Sequence, residues 1–426
     1  MARASGRSGL IGELIAVSHL STLTQLPDVV SEQAERFGWP EVLLYISDIQ
    51  QTVLTLMTGR GADGARHAGD FPAELPIDGT APGRAFQLGE ILPTSAGGQQ
   101  WWVPVLNGTE RIGLMRITIP ETDENSMRDM RELGGLVGLL LVAKRGTSDA
   151  YARLVRRRRM NVAAEMEWRL MPPRTFATDR VVVSALMEPA YEVSGDAFDY
   201  AFGEDLAHLC VFDAMGHDTA AGLTANLAVA ACRNQRRQGS GLVETANGVE
   251  QALLDQFEDS RYATGILADF DVATGQLTWI SCGHYPPVVI RGGRSAVPLE
   301  CAPAPPMGTG LGITATLCHA QLEPGDRLLL YTDGITEARN PDGEEFGIDR
   351  FTDFLIRHHA DGLPVPETLR RLIRHHLEYH QGHLSDDATV LVLEWHGSAP
   401  FEPGEAEALV GLPAGTAPPL LERPTR

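Results

Sequence analysis

Several aspartates in the second half of this sequence stand at the ends of apolar runs, where a carboxylate is well placed to do chemistry. They occur in four segments: VSGDAFDY with Asp196, LCVFDAMGHD with Asp213, LLLYTDGITEAR with Asp333, and LSDDATVLVLEW with Asp386 and Asp387. A single aspartate at a strand end is usually a turn former. Four such segments in one acidic region indicate more than turn formation.

Strand ends from stacked sheets can converge on one cleft, and carboxylates that meet there repel one another unless a cation neutralises them. A ligand set made only of oxygens favours hard ions such as Mg²⁺ or Mn²⁺. The residue types and their spacing therefore predict a multi-carboxylate site for a divalent metal, and by themselves they go no further.

The elements that must position these carboxylates are mostly strands. From Arg180 to Gly397, apolar runs of strand length alternate with turn residues, and helices are predicted at about 219–238, 242–257, 348–359 and 366–380. Two of the runs are joined by the turn Ala273-Thr274-Gly275, so the sheets are predicted to be largely antiparallel.

The first half predicts a different, smaller domain. A helical region is expected over residues 10–40, followed by strands at Val42–Ser47 and Gln51–Gly59. The segment Trp101–Pro120 predicts a hairpin that turns at Asn107-Gly108, and a further helix is expected over 125–143. Helix, strands and helix in this order are typical of a small α+β sensor-type domain.

A connector lies between the two halves. Apolar residues recur at mostly four-residue steps before Pro172-Pro173, at Tyr151, Val155, Val162, Met166 and Leu170. This pattern predicts one amphipathic helix over 147–171 that ends at the prolines. Nothing within the connector covers the apolar stripe, so we expect it to pair with its twin in a homodimer, which Arg156–Arg159 would weaken by repulsion. The proline-rich tail after Gly397 is predicted to be disordered.

The composition excludes several classes of protein. The chain has 426 residues and a formal net charge of −21, and the segment 181–396 carries 31 acidic against 13 basic side chains. No basic footprint for nucleic acid or an anionic membrane is present, and the longest apolar run, LGGLVGLLLVA, is shorter than the ~20 residues that span a bilayer. Five irregularly spaced cysteines without a CxxC pair indicate neither a disulfide framework nor a thiolate zinc site, so we expect a cytoplasmic protein.

The segments DGTAPGRAFQLGE and VPVLNGTERIGLMRI resemble a GAF domain, a small-molecule sensor module, over residues 15–145. This region has no cysteine and only two histidines, which excludes thioether attachment of a chromophore and argues against haem. The resemblance implies a non-covalent ligand near Thr80–Phe86 and the strands after Trp101. The alternative is a domain that only dimerises and binds nothing.

Residues from Ala164 to about Glu394 resemble the sporulation stage II E branch of the PPM (type 2C-like) protein serine/threonine phosphatases. The matching segments follow the family's order: AEMEWRLMPP, VSGDAFDY, VFDAMGHD, ATGILADFD, SCGHYPPVVI, PMG, GDRLLLYTDGITEARN, EEFG and SDDATVLVL. The resemblance implies an αββα sandwich with two Mn²⁺ or Mg²⁺ ions between its sheets.

Position by position, the resemblance implies a role for each carboxylate. Asp213 would bridge both ions, and the Ala214 carbonyl could add a ligand. Asp333 and Asp386 would hold one ion, while Asp196 would act at the other, directly or through water. Such a pair of ions activates a bridging water for in-line attack on phosphorus, so no protein nucleophile is needed.

Some positions leave alternatives open. A one-residue slip from Asp386 to Asp387 as the ligand is possible. Three residues depart from the family's commoner pattern without removing a metal carboxylate, namely Ser194, Asp218 and Cys282. Of these, Asp218 could perturb a turn beside the site.

Histidines near the site have competing interpretations. His217 could donate a proton to the leaving serine oxygen, or it could be a structural residue of its loop. His284 is expected to stabilise a turn. The cluster His375, His376, His380 and His383 contains an i, i+4 pair that could bind a transition metal, but a polar helix face is the plainer interpretation.

The sequence thus predicts an α+β protein with a GAF-like sensor domain (1–146), a helical linker (147–173), a PPM-type phosphatase domain (174–396) and a disordered tail (397–426). We expect a metal-dependent phosphoserine/phosphothreonine phosphatase that acts on an anti-anti-sigma (STAS) type regulator under control of the sensor. The alternatives are a small-molecule phosphoesterase and a catalytically silent regulator that binds a partner.

Overall fold

The computed structural model describes residues 2–58, 71–94, 98–120, 124–192, 195–382, 384 and 386–399. Most of the predicted tail therefore lies outside the described residues, as do Ser194 and His383. The chain divides into two compact units between Arg158 and Arg159. Among the described helices, none has the length and apolarity needed to cross a bilayer.

The first unit is built on a six-stranded antiparallel sheet in the order β3-β2-β1-β6-β5-β4. Its strands are β1 (Glu41–Ser47), β2 (Val53–Leu56), β3 (Glu74–Pro76), β4 (Leu92–Pro93), β5 (Gln100–Asn107) and β6 (Glu110–Thr118). Its helices are α1 (Ala2–Ser18), α2 (Leu26–Arg36), α3 (Ala81–Leu88), α4 (Glu124–Arg145) and α5 (Asp149–Val155). The predicted helical region 10–40 is thus two helices.

Strand periodicity sorts the side chains of this sheet between two cores. In β1, Leu44 and Ile46 pack with residues of α2 and α4 on one face, whereas Tyr45 packs with Phe86 of α3 on the other. The hairpin predicted at Asn107-Gly108 joins β5 to β6. Gly108 has φ +57°, a left-handed conformation that favours glycine in such a turn.

The connector is not the single helix that the sequence pattern predicts. Instead α5 ends at Val155, and a second helix, α6 (Val162–Leu170), begins after an extended stretch. Each helix has its own polar cap, because Ser148 accepts a hydrogen bond from the Tyr151 N–H and Asn161 accepts one from the Ala164 N–H.

The two connector helices belong to different units. Val155 is buried in the core of the first unit, whereas Ala163 and Ala164 are buried in the second. Of the apolar stripe predicted for the connector, Val155 is buried, whereas Val162 is 65% exposed. The connector is therefore two helices rather than one, and its pairing with a twin in a homodimer stays a prediction.

The second unit contains two antiparallel sheets. Its strands are β7 (Thr175–Ala177), β8 (Val181–Glu188), β9 (Asp196–Phe202), β10 (Leu206–Ala214), β11 (Ala263–Asp271), β12 (Gln276–Cys282), β13 (Val288–Arg291), β14 (Ser295–Pro298), β15 (Cys318–Gln321), β16 (Arg327–Tyr331) and β17 (Ala388–Trp395). After α6, its helices are α7 (Thr219–Arg237), α8 (Leu242–Phe257), α9 (Asp333–Thr336), α10 (Gly347–Ala360) and α11 (Val365–Tyr379). The helices predicted over this half are confirmed.

The predicted αββα layering is also present. One sheet has the order β15-β12-β11-β10-β9 and the other β14-β13-β16-β17-β8-β7. Side chains from both sheets, among them Val211, Phe270 and Leu391, form the core between them. Helices α7 and α8 cover the outer face of the first sheet, and α11 packs on β8 of the second.

The prediction that the cysteines form no disulfide is wrong for one pair. Cys301 and Cys318 are disulfide-bonded, with their Cα atoms 6.0 Å apart, while Cys210, Cys232 and Cys282 are free and buried. The bond joins the start of β15 to the loop after β14, a proximity that depends on the fold. It removes the cysteine argument for a reducing compartment.

Candidate metal centre

The predicted carboxylates come from the same end of both sheets. Asp196 is the first residue of β9 and lies opposite Asp213, near the end of the neighbouring β10. In the other sheet Asp333 follows β16 after one residue, Thr332, and Asp386 and Asp387 immediately precede the neighbouring strand β17. The fold therefore brings all four sequence segments to one edge of the sandwich.

Asp213 interacts electrostatically with each of the other carboxylates of this group. Its pKa is raised to about 7, first by burial and then by the charges of Asp333, Asp386 and Asp387. The pKa of Asp196 is raised well above its usual value by burial and by Asp213 and Asp387. Burial and the charge of Asp386 raise the pKa of Asp333. The carboxylates around Asp213 therefore form two pairs, Asp333 with Asp386 and Asp196 with Asp387, and Asp213 interacts with both pairs. We call these pairs the two sides of the acidic group.

Asp196 is held by the opposite sheet. The Thr332 hydroxyl donates a 2.6 Å hydrogen bond to Asp196 Oδ2, and the same hydroxyl oxygen accepts a bond from the Thr389 N–H at 2.9 Å. All three side chains are buried. These threonines were missed at the sequence level, although each stands within three residues of a predicted metal aspartate.

The adjacent aspartates before β17 differ in their surroundings. Asp386 is exposed and its Oδ1 accepts a hydrogen bond from the Asp387 N–H. Asp387 is buried, and its Oδ2 accepts one from the Asp196 N–H at 3.4 Å. Both carboxylates raise the pKa of Asp213. Which of the two binds a cation directly remains a proposal.

The loop after β10 passes close to Gly195. The Ala214 N–H donates to the Gly195 carbonyl at 3.0 Å, and a Cβ at Gly195 would lie 2.8 Å from the Gly216 carbonyl oxygen and 3.2 Å from that of Ala214. Only glycine fits here without moving that backbone. The Ala214 carbonyl is therefore beside the carboxylates, as its proposed ligand role requires.

Asp218 stabilises the turn beside the site. The sequence pattern instead suggested that an aspartate at this position could perturb the turn. Its side chain caps α7 by accepting the Ala221 N–H at 2.8 Å, and Arg261 donates two hydrogen bonds to it at 3.2 and 3.1 Å. Hydrogen bonding to Arg261 lowers the pKa of Asp218. Its neighbour His217 is exposed, and its role as proton donor remains a proposal.

His284 links the two sheets, which is a larger role than the turn stabilisation predicted for it. Its Nε2 donates to the Tyr331 carbonyl at 3.0 Å, and the Thr264 hydroxyl donates to Nδ1 at 2.8 Å. Burial lowers the pKa of His284 to about 4. A neutral imidazole therefore ties β11 to β16 directly behind the carboxylates.

Replacing His284 by Gln should lower the free energy of unfolding by roughly 2 kcal/mol at pH 7, because the two buried hydrogen bonds of the imidazole, to Tyr331 and Thr264, are lost or weakened. The folded pKa of this histidine lies below its unfolded value near 6.5, so its contribution is present above that pH and is lost as the pH falls toward 4. In urea unfolding, the difference in unfolding free energy between parent and variant should fall by about 1.4 kcal/mol per pH unit below 6.5, vanish at about pH 5 and reverse below it. A gap that does not change with pH would contradict the buried neutral imidazole.

Two histidines, one in α11 and one at its C-terminal cap, support the segment that carries Asp333. His376 Nε2 donates to the Gly334 carbonyl at 3.1 Å, and His380 Nε2 donates to the Ala338 carbonyl at 3.0 Å. Both side chains are buried, so the expectation of a polar surface face is wrong for this pair. Burial lowers the pKa of His376 to about 3, which keeps it neutral as a donor to the backbone.

The donor set fits a hard divalent cation. In the ranges that the structure describes, no three acidic, histidine or cysteine side chains already stand in an arrangement that surrounds an ion. The candidates nevertheless all present oxygen atoms, and they raise one another's pKa by mutual repulsion. Mg²⁺ or Mn²⁺ would relieve that repulsion, and Mg²⁺ ordinarily keeps several waters, so few direct protein ligands suffice.

Comparison with known proteins supports the family resemblance of the second unit that its sequence motifs indicate. Residues 203–396 match the family model described as Stage II sporulation protein E (SpoIIE). Protein IcfG of Synechocystis sp. is 23% identical over 224 residues, which cover 46% of this chain and 35% of IcfG. Phosphoserine phosphatase RsbP of Bacillus subtilis is 24% identical over 227 residues, which cover 51% of this chain and 53% of RsbP.

A solved structure of the RsbU and RsbW domains of Rv1364c from Mycobacterium tuberculosis is similar at 24% identity and a TM-score of 0.44, over 54% of this chain and 64% of that one. The present chain spans about half or less of the length of IcfG and RsbP.

The second unit is a two-sheet αββα sandwich, and most of it, residues 203–396, matches the SpoIIE family model. It is, more narrowly, a phosphatase domain of the SpoIIE type, and its homologues include phosphoserine phosphatases. The family match leaves residues 1–202 outside it.

Proposed function

We propose that this chain is a divalent-cation-dependent phosphoprotein phosphatase that hydrolyses phosphoserine or phosphothreonine on an anti-anti-sigma (STAS) type regulator. The observation that carries the proposal is the position of Asp213, whose carboxylate interacts with Asp333, Asp386 and Asp387 of the opposite sheet and with Asp196 of its own sheet. A carboxylate shared in this way suits a bridge between two cations. The curated name of RsbP, a phosphoserine phosphatase, supports the choice of reaction.

Two Mn²⁺ or Mg²⁺ ions, when bound, would neutralise the phosphoryl oxygens and lower the pKa of the attacking water. Asp213, Asp333 and Asp386 are the residues proposed to hold them, with Asp387 as the alternative to Asp386. Asp196, fixed by the Thr332 hydroxyl, contributes directly or through water. We assign His217, exposed beside the site, to protonation of the leaving serine oxygen.

The surface charge bears on the substrate. Residues 181–396 carry a large excess of acidic side chains, which repels polyanions such as nucleotides at long range. A single phosphoserine on a folded protein brings less negative charge and offers a larger contact surface. The balance favours a phosphoprotein over a small phosphoester.

A phosphatase assay separates this function from its alternatives. The full chain should release phosphate from a phosphoserine STAS protein with Mn²⁺, lose that activity on chelation, and act far more slowly on ATP or cyclic nucleotides. Faster hydrolysis of the nucleotides would indicate a small-molecule phosphoesterase. Stable binding of the STAS protein without hydrolysis at any Mn²⁺ concentration would indicate a silent regulator.

We propose that the first unit is a GAF-like sensor that regulates this activity. The space between α3 and the sheet, where the sequence predicts a ligand, is filled by Ala85, Phe86, Trp102 and Leu114, which are buried against one another. A non-covalent ligand at this position would have to displace some of these side chains. Regulation by dimerisation alone therefore stands beside ligand binding as an alternative.

A further inference from the structure

Glu167, in the middle of α6, is a buried carboxyl without a hydrogen-bond partner. Its side chain has no exposed surface, and neither carboxyl oxygen has a donor within reach among the described residues. Burying such a group without compensation is costly. Glutamate is almost never found fully buried unless it is paired, so this position calls for a partner.

The packing of α6 holds Glu167 in place. A Cβ at Gly222 of α7 would lie 2.6 Å from the Ala163 Cβ and 3.2 Å from Glu167 Oε1, so the two helices approach closely at this glycine. Trp168 Nε1 donates a 2.7 Å hydrogen bond to the Ala190 carbonyl, which fixes the rotation of α6 about its axis. The carboxyl therefore reaches solvent only if the helix moves.

A charge that acts on Glu167 comes from the candidate metal centre. Asp387 raises the pKa of Glu167, which burial and this like charge together bring to about 9. Asp387 in turn accepts the Asp196 N–H. Geometry agrees, because Gly222, whose Cβ would lie 3.2 Å from Glu167 Oε1, belongs to the first turn of α7, which begins directly after the loop that follows Asp213. Glu167 thus approaches the acidic group from a helix that supplies none of the residues assigned above.

We propose that Glu167 belongs to the cation site and adds its charge and acceptor oxygens on the side of Asp196 and Asp387. The inference rests on the divalent-cation site of the proposed function and extends it to α6. A cation there supplies the neutralising charge that Glu167 lacks, either directly or through water in its coordination shell. Groups beyond the direct ligands of a metal typically change its affinity by 10–100-fold.

The test is Mn²⁺ binding to the full chain, measured by equilibrium dialysis and by the rise in melting temperature with Mn²⁺. Glu167→Gln keeps the size of the side chain and removes its charge, and it should weaken Mn²⁺ binding about tenfold. Without Mn²⁺ the variant should melt no lower than the parent, because the carboxyl has no hydrogen-bond partner to lose and the charge of Asp387 opposes its ionisation.

Glu165→Gln is the matched control, since the same substitution on the same helix lies about 200° away around its axis and should leave Mn²⁺ affinity unchanged. Equal Mn²⁺ affinity in parent and Glu167→Gln would overturn the inference and leave the proposed function standing. A parent that binds no Mn²⁺ would overturn both. If Glu167→Gln does not fold, Glu167→Met, an apolar replacement of similar length, makes the same comparison.

Discussion

Asp213→Asn should lower phosphoserine hydrolysis by about three orders of magnitude, which corresponds to roughly 4 kcal/mol of transition-state stabilisation. The physical reason is the central position of this carboxylate, which interacts with both sides of the acidic group. Asparagine keeps the shape of the side chain but removes the charge that two cations would share. Steady-state hydrolysis of a phosphoserine STAS protein at saturating Mn²⁺ measures the effect.

The same substitution should leave the fold intact and raise the melting temperature in the presence of a chelator, because repulsion among crowded carboxylates decreases. Asp205→Asn is the control, since Asp205 lies in the exposed turn at the other end of the same strand pair and makes a surface ion pair with Arg180. Full activity in Asp213→Asn, with normal activity in the control, would refute the two-cation assignment.

Local sequence pattern was sufficient to locate the acidic residues of the site. Asp213 and Asp333 follow apolar runs that are indeed β10 and β16, and Asp386 precedes the run that is β17. Strand ends can be recognised locally, because apolar residues stop where the chain leaves the core. The antiparallel order followed from short turns such as Ala273-Thr274-Gly275, which joins β11 to β12.

The connector shows where local pattern is insufficient. Apolar residues from Tyr151 to Leu170 keep helical spacing, but the helix stops at Val155 and begins again at Val162. Tertiary packing decides this, since Val155 belongs to one core and Ala163 to another. A periodic stripe does not reveal that its halves face different partners.

The residues that support the metal centre depend on contacts distant in sequence. Thr332 bonds to Asp196 across 136 positions, and His376 reaches the Gly334 carbonyl across 42. The pattern AEMEWRLMPP alone assigns no role to Glu167, although a glutamate between Met166 and Trp168 on a helix that must pack is itself a signal. Supporting residues of this kind become visible only when the sheets and helices are placed in three dimensions.

Gly334→Ala should reduce phosphoserine hydrolysis about a hundredfold, although it changes no charge. Gly334 follows Asp333 in α9, and a methyl group there would overlap the backbone carbonyl of Asp387. Because neither backbone can rotate out of the way as a side chain would, α9 must move away from the start of β17. Displacements of about 1 Å in a catalytic site can cost this much activity, and overpacking should cost about 1–3 kcal/mol of stability.

Gly203→Ala provides the matched control for this substitution. Gly203 lies in the turn between β9 and β10 of the same unit, and a Cβ there would be 3.6 Å from its nearest neighbour, the Leu206 carbonyl oxygen, which is ordinary van der Waals contact. This variant should keep the activity and Mn²⁺ affinity of the parent, whereas Gly334→Ala should lose both together, since the same displacement separates Asp333 from Asp386 and Asp387. Unchanged Mn²⁺ affinity in Gly334→Ala would mean that the two segments move independently, and the acidic group would then not act as one site.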